Sequence, residues 1–191
     1  MLKKTGFIIL FLSLSFSVQA KKIAGVQIDD SVTIKGAELT LNGAGIRTKF
    51  VFDIYVAAFY TVNPVKKIEQ ISDAAPMRMA MHFVYDEVSK EKLVDGWNDG
   101  FEDNLSDEQL AKLKSRINLF NELFQTVRAG DVIELDFVPG KGTLVNINNK
   151  NKGVISGAEF YRALLMIWLG KDPVGDDLKE SLLGQAEGDN D

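Results

Sequence analysis

The chain has 191 residues, a formal net charge of −5 at neutral pH, a single histidine and no cysteine. Disulfides, thiolate metal sites and cysteine nucleophiles are therefore excluded, and one histidine cannot form a multi-histidine metal site. The charged residues form no basic block and do not alternate with aromatic residues, which argues against nucleic-acid binding. We expect no cofactor, no metal and no nucleic-acid partner.

The first twenty residues have the pattern of a secretory signal peptide. Lys3 and Lys4 precede an apolar run over residues 7–16, and Val18-Gln19-Ala20 fits a small-x-small cleavage site. A membrane anchor is the alternative, but the apolar run is shorter than the ~20 residues that span a bilayer. We predict a signal peptide over residues 1–20, export, and no integral membrane segment after cleavage.

The rest of the chain has the length of one domain with a sizeable core. Without Lys3 and Lys4 its net charge is −7. The last residues are acidic and poor in apolar side chains, a composition that cannot bury enough surface to fold. We predict one domain over residues 21–183 and a disordered acidic tail over residues 184–191.

The amino-terminal part of the domain has the pattern of strands separated by turns. The glycines of Gly43-Ala44-Gly45 predict a tight turn, because glycine takes positive φ without steric cost. Asn63-Pro64 predicts a break, followed by a short helix over residues 65–71. Short strands are predicted before the glycine turn, over residues 22–28, 31–34 and 38–41.

Residues 46–61 are rich in Val, Ile, Phe and Tyr and predict one long strand. One face of this strand is apolar, and the other is mixed. A strand of this kind suits the floor of a cleft, where an arginine would offer a fixed cation to an acidic ligand. The polar side chains of the mixed face are Arg47, Lys49, Asp53 and Tyr55.

Two helices are predicted in the middle of the chain. Ser89 caps the first. Ser106 begins the second, with Gln109 at the capping-box position. Apolar residues then recur at three- and four-residue spacing as far as Val127, and we expect the second helix to end at Ala129-Gly130.

A second central strand is predicted over residues 77–85, where apolar and polar positions alternate. The carboxy-terminal elements follow as a strand meander and two helices. Runs of strands and runs of helices, rather than strict alternation, indicate an α+β layered fold. The predicted meander strands and helices cover residues 131–138, 143–147, 154–155, 157–169 and 176–183.

Two segments resemble the chalcone isomerase family: Gly43-Ala44-Gly45-Ile46-Arg47 and Ala57-Ala58-Phe59-Tyr60. The order of elements also matches that family across nearly the whole domain. The nearer match is to bacterial exported chalcone isomerase-like proteins, which are related to plant isomerases and to fatty-acid-binding proteins. The resemblance implies an α+β open-faced sandwich, in which a helical layer covers one face of a curved antiparallel sheet. It also implies a ligand cleft between sheet and helices.

Three residues are candidates for ligand binding. Arg47 matches the arginine that orients the substrate's anionic oxygen in the family's enzymes and meets the lipid carboxylate in the fatty-acid-binding relatives. The alternative is a surface arginine lying beside the sheet. Tyr55 stands where plant enzymes have a threonine, or it is a packed strand tyrosine. Eight residues of straight strand would separate it from Arg47 by roughly 26 Å, so a bulge or curl is needed. Trp97 lines the cleft or belongs to the core.

Two positions depart from the plant isomerases, which use a tyrosine and an asparagine where this chain has Ser89 and Gly96. We therefore predict a non-catalytic, periplasmic protein of the bacterial envelope that binds a small amphipathic acid, such as a fatty acid. One alternative is an isomerase, an intramolecular lyase acting on an enone-like substrate. Another is a partner-binding protein whose cleft is filled by side chains.

Overall fold

The computed structural model describes residues 21–185. The predicted signal peptide and residues 186–191 of the predicted tail lie outside this range. The helices are α1 (Lys90–Asn104), α2 (Asp107–Glu122), α3 (Ala158–Leu169) and α4 (Asp176–Leu182), with a 3-10 helix at Ile68–Gln70. The strands are β1 (Lys21–Ile23), β2 (Val26–Ile28), β3 (Ser31–Ile34), β4 (Ala37–Lys49), β5 (Phe52–Thr61), β6 (Met77–Phe83), β7 (Glu87–Val88), β8 (Val127–Arg128), β9 (Val132–Val138), β10 (Gly142–Ile147) and β11 (Lys150–Ile155).

A curved sheet of seven strands forms the centre of the domain, in the order β11-β10-β9-β6-β5-β4-β3. Every neighbouring pair in it is antiparallel. β1 pairs with β2, and β7 with β8, in two short ladders outside this sheet. The predicted α+β class and the covered antiparallel sheet are confirmed.

The main hydrophobic core lies between the sheet and the helices. β5 and β6 supply inward-facing apolar side chains at alternate positions, and all four helices named above supply the opposite wall. A smaller core lies on the other face of the sheet and includes Ile28, Leu39 and Val56. α3 is apolar on most sides because it is buried in the main core. Within residues 21–185, no helix has the length and apolar character that crossing a membrane requires.

The helix start signals are confirmed, but one predicted helix end is wrong. Ser89 accepts a hydrogen bond from the Lys92 backbone N–H, and Ser106 forms a capping box with Gln109. α2 ends at Glu122 rather than near residue 129. The apolar stripe continues beyond the helix because Val127 is buried in the short strand β8. Apolar periodicity therefore overestimated the length of the helix.

The single strand predicted over residues 46–61 is in fact the end of β4, a turn at Phe50-Val51, and β5. The turn was missed because it contains no glycine, proline, asparagine or aspartate, the residues that usually mark turns. The hairpin makes Arg47 and Tyr55 direct cross-strand partners. A bulge next to this pair leaves Ile54 without a partner on β4.

Gly43-Ala44-Gly45 is not the predicted turn but part of β4. The two glycines allow α4 to pack directly against this strand. A Cβ at Gly43 would lie 2.0 Å from the Ser181 backbone oxygen, and one at Gly45 would lie 2.7 Å from the Ser181 Cβ. The neighbouring Asn42 fastens the same contact, because its Nδ2 donates to the Leu182 carbonyl at 2.7 Å.

We expect Gly43→Ala to lower the free energy of unfolding by about 1–3 kcal/mol, because the new methyl group overlaps rigid backbone of α4. Gly96→Ala is a matched control: a Cβ there meets no atom within 4 Å. Because Gly96 lies in a helix, its replacement should stabilise the protein by about 0.5–1 kcal/mol. Urea unfolding of both variants measures this difference, and equal effects would contradict the packing of α4 on β4.

Candidate functional site

A cleft of about 570 Å³ opens between the β4–β5 hairpin and α1. Its size lies within the ~300–1,000 Å³ of ordinary ligand pockets. The three predicted ligand-binding residues, Arg47, Tyr55 and Trp97, all line it. The other lining residues are Lys49, Phe50, Phe52, Ile54, Phe83, Tyr85, Glu87, Val88, Lys92, Leu93, Asp95, Gly96, Asp99, Ile167 and Val174.

Arg47 differs from the other four arginines of the chain. Arg78, Arg116, Arg128 and Arg162 each form an ion pair with a carboxylate. Within residues 21–185 no carboxylate lies within ion-pair distance of Arg47, whose Nη1 donates only to the Thr48 backbone oxygen at 2.7 Å. Since a guanidinium carries five N–H donors, most of those on Arg47 are available to a bound ligand.

Tyr55 is a buried donor held in place by the helical layer. Its hydroxyl oxygen accepts a hydrogen bond from the Trp168 Nε1–H at 3.0 Å. Burial raises the pKa of Tyr55 to about 12, partly offset by the Trp168 hydrogen bond and the charge of Arg47. The hydroxyl therefore stays protonated at neutral pH and can donate a hydrogen bond to a ligand oxygen.

Trp97 belongs both to the cleft wall and to the core. Its ring lies 5.4 Å from that of Phe124, 5.7 Å from that of Phe120 and 5.8 Å from that of Trp168. The two roles proposed from sequence therefore hold together. Its buried indole N–H has no hydrogen-bond partner among the described residues. A buried donor left unpaired costs about 1–3 kcal/mol, which a ligand acceptor would recover.

Several cleft residues were not predicted from the sequence. Ile167 and Val174, from the carboxy-terminal part of the chain, complete the apolar wall. Trp168 lies 113 residues after Tyr55, and nothing in its apolar helix distinguishes it as the partner of a tyrosine. The alternating pattern of β6 did predict that Phe83 is buried, but not that it lines a cleft.

Ser89 and Gly96 occupy the places expected from the resemblance to plant isomerases, but neither supplies a free polar side chain. The Ser89 hydroxyl oxygen caps α1. Gly96 lines the cleft, and the space beside it is open. The inner cleft therefore offers hydrogen-bond donors from Arg47, Tyr55 and Trp97. This donor set suits an anionic or carbonyl oxygen.

A second cavity of about 640 Å³ lies between α2 and α3 and is also mainly apolar. Although it is larger, it is the weaker candidate because its arginines are already neutralised. Arg116 pairs with Glu159 at 2.5 Å, and Arg162 pairs with Asp73. Among residues 21–185, no group of three or more histidine, aspartate and glutamate side chains is arranged to hold a metal ion.

The raised pKa of Tyr55 predicts a loss of stability at alkaline pH. In the unfolded chain tyrosine ionises near pH 10, whereas in the folded protein Tyr55 ionises at about 12. Its contribution of about 2–3 kcal/mol is complete below pH 10 and is lost as the pH rises through 12. Denaturant unfolding at a series of pH values measures this loss. Tyr55→Phe should reduce it.

Tyr60 and Tyr161 also have a pKa raised by burial, so Tyr55→Phe should lessen the alkaline loss without abolishing it. The variant should also be less stable at neutral pH, because Trp168 Nε1–H loses its acceptor. If the wild type and Tyr55→Phe lose the same free energy between pH 10 and 12, Tyr55 is not the buried phenol described here.

Comparison with known proteins identifies the family. The sequence profile of the chalcone isomerase-like family matches residues 20–184. No curated protein matches the sequence. The crystal structure of a fatty-acid binding protein from Arabidopsis thaliana is similar, with a TM-score of 0.67 and 16% identity over 86% of this chain and 96% of that chain. At that identity the likeness shows the fold alone. By its family match, the chain belongs to the chalcone isomerase-like family.

Proposed function

We propose that the protein binds a small amphipathic acid, such as a fatty acid, and holds it without converting it. The observation that carries this proposal is the position of Arg47. It is the one arginine without a carboxylate partner among residues 21–185, and it lines a cleft with largely apolar walls. A cation left unpaired at such a site is matched by an anionic ligand group.

The carboxylate end of the ligand would lie between Arg47 and Tyr55. These residues face each other across β4 and β5, so their Cβ atoms are roughly 5 Å apart. The guanidinium can hold a carboxylate through two parallel hydrogen bonds. The Tyr55 hydroxyl, whose oxygen already accepts from Trp168, can add a third through its own proton.

The apolar tail would lie against the inner walls of the cleft. Ile54, Phe83, Leu93, Ile167 and Val174 all line it. Each methylene group that leaves water for such a surface contributes about 0.8 kcal/mol. Tail burial would therefore supply much of the affinity, while Arg47 would select an acidic head.

Shared fold supports the same proposal. The Arabidopsis thaliana structure is that of a fatty-acid binding protein, and it has the same fold over 86% of this chain. The family resemblance also places an arginine at the position of Arg47 in the fatty-acid-binding relatives. Identity is 16%, so this support comes from fold, and the Arg47 geometry carries the argument.

The alternative of an intramolecular lyase has less support. Cyclisation of an enone-like substrate requires an anchored phenolate and a polarised carbonyl in one arrangement. The plant enzymes have a tyrosine and an asparagine on the first long helix for this work. Here Ser89 caps α1 and Gly96 has no side chain. Arg47 and Tyr55 remain, and they are sufficient to bind an anion.

Arg47→Gln should weaken palmitate binding roughly 10- to 100-fold, because a hydrogen-bonded charge contributes about 1.5–3 kcal/mol. Arg47→Lys should bind with intermediate affinity, since it keeps the charge but loses the forked geometry. Native mass spectrometry of the purified protein with added palmitate measures the bound fraction, and calorimetry gives the affinity.

Arg162→Gln is the matched control, because Arg162 lines the second cavity and is paired with Asp73. It should bind palmitate as the wild type does. Equal binding by wild type and Arg47→Gln would overturn the proposal, and loss only in Arg162→Gln would move the ligand to the second cavity. Turnover of an added chalcone that Arg47→Gln abolishes would favour the lyase instead.

We further propose that the protein acts in the periplasm of a bacterial envelope. The support is the sequence of residues 1–20, in which two lysines precede an apolar run and a small-x-small site. Cell fractionation followed by intact-mass measurement should find a periplasmic chain that begins at Lys21. A cytoplasmic chain that retains Met1 would exclude export.

A further inference from the structure

The tip of the β4–β5 hairpin exposes three consecutive large apolar side chains. Phe50 is 91% exposed, Val51 83% and Phe52 52%. The other large apolar residues that are exposed within residues 21–185 do not form such a run: they are Val62, Leu119 and Val154. Scattered apolar residues are normal on a protein surface, whereas a contiguous patch marks an interaction surface.

The backbone at this tip is also costly to maintain. Phe50 has φ of 59°, in the left-handed region where a bulky side chain is strained and asparagine or glycine is better tolerated. Exposing the ring gains no burial in return. Neither the conformation nor the exposure of Phe50 stabilises the fold, so the residue serves some contact outside the described chain.

The apolar tip continues into the cleft. Phe50 and Phe52 both line its mouth. The Phe52 ring also meets the Tyr85 ring edge-to-face at 5.6 Å, which joins the hairpin to the segment after β6. An apolar surface therefore extends without interruption from the outermost residues of the tip to the inner walls.

Cations without ion pairs accompany this surface. Lys49 adjoins the tip and Lys92 lies on the cleft rim. Neither forms an ion pair with a carboxylate among residues 21–185. Of the acidic residues nearby, Glu87 is paired with Arg128 at 2.5 Å and Asp53 accepts from the Thr48 hydroxyl at 2.8 Å. Asp95 and Asp99 lie on the α1 side of the rim.

A lysine beside exposed aromatic rings is the arrangement that binds a lipid interface. The rings enter the boundary between headgroups and acyl chains, and the lysine reaches back to anionic phosphate groups. Because the tip is the end of a hairpin, the rings can enter lipid while the paired backbone of β4 and β5 remains hydrogen-bonded.

We infer that the Phe50-Val51-Phe52 tip docks the protein on an anionic lipid bilayer, with the mouth of the cleft at the membrane surface. An amphipathic acid then passes between bilayer and cleft along the apolar surface of the tip without entering bulk water. This passage rests on the proposed function. The docking itself rests only on the exposed rings, the strained Phe50 and Lys49.

The test is co-sedimentation with vesicles made of equal parts phosphatidylglycerol and phosphatidylcholine, compared with phosphatidylcholine alone. The full chain is purified as the producing cell leaves it, so residues 1–20 are treated alike in every variant. Val51→Asp should lower the partition coefficient at least about tenfold, since one apolar side chain leaves the lipid and a charge replaces it. Val154→Asp is the same substitution at an exposed valine of β11 and should bind like the wild type.

Phe50→Asn separates docking from folding. Asparagine tolerates the left-handed conformation, so this variant should be at least as stable as the wild type in urea while losing vesicle binding about tenfold. A fall in stability together with unchanged vesicle binding would show that Phe50 serves the fold and would overturn the inference.

Palmitate retention, measured by native mass spectrometry, distinguishes failure of this inference from failure of the proposed function. Val51 does not line the cleft, so Val51→Asp should retain palmitate while losing vesicles. Equal vesicle binding by Val51→Asp and Val154→Asp, or none by the wild type, would overturn docking. Self-association that Val51→Asp abolishes, in a protein that ignores vesicles, would likewise overturn it and assign the tip to a contact between two copies.

Discussion

The antiparallel pairing of β4 with β5 places Arg47 opposite Tyr55, and the cleft exists only in that register. A slip of one residue would turn every side chain of a strand to the other face of the sheet. The register is held because Tyr55, Ala57 and Phe59 are buried in the main core while Val56 lies in the smaller core on the other face. Hydrophobic burial on both faces therefore positions a charged group that contributes little to burial itself.

The helical layer completes what the hairpin begins. α4 packs against β4 closely enough to exclude any side chain at Gly43 or Gly45. From α3, Trp168 donates its indole N–H to the Tyr55 hydroxyl. This contact fixes the direction of the tyrosine and leaves its proton free to reach a ligand. Stability and function share the same contacts here, because the groups that close the core also orient the binding groups.

The features that cost the protein stability are gathered around the same cleft. Arg47 has no carboxylate partner in the described part of the chain, whereas the four other arginines do. Trp97 has a buried N–H without an acceptor, and Phe50 holds a strained backbone with an exposed ring. Local rules of folding are most often broken at functional sites. Their concentration at one cleft supports binding there over a cleft that merely fills with side chains.

The sequence by itself determined the class of fold, the order of the elements, the helix caps at Ser89 and Ser106, and the importance of Arg47. These follow from short-range signals such as alternation, capping side chains and a family motif. Only the tertiary structure decided the Phe50-Val51 turn, the role of Gly43 and the meeting of Arg47, Tyr55 and Trp97 in one cleft. The turn lacks the residues that normally mark one, and glycine in a sequence does not show whether it serves a turn or a close contact. The site depends on strand register and on contacts between distant segments, which physical packing fixes only when the whole chain has folded.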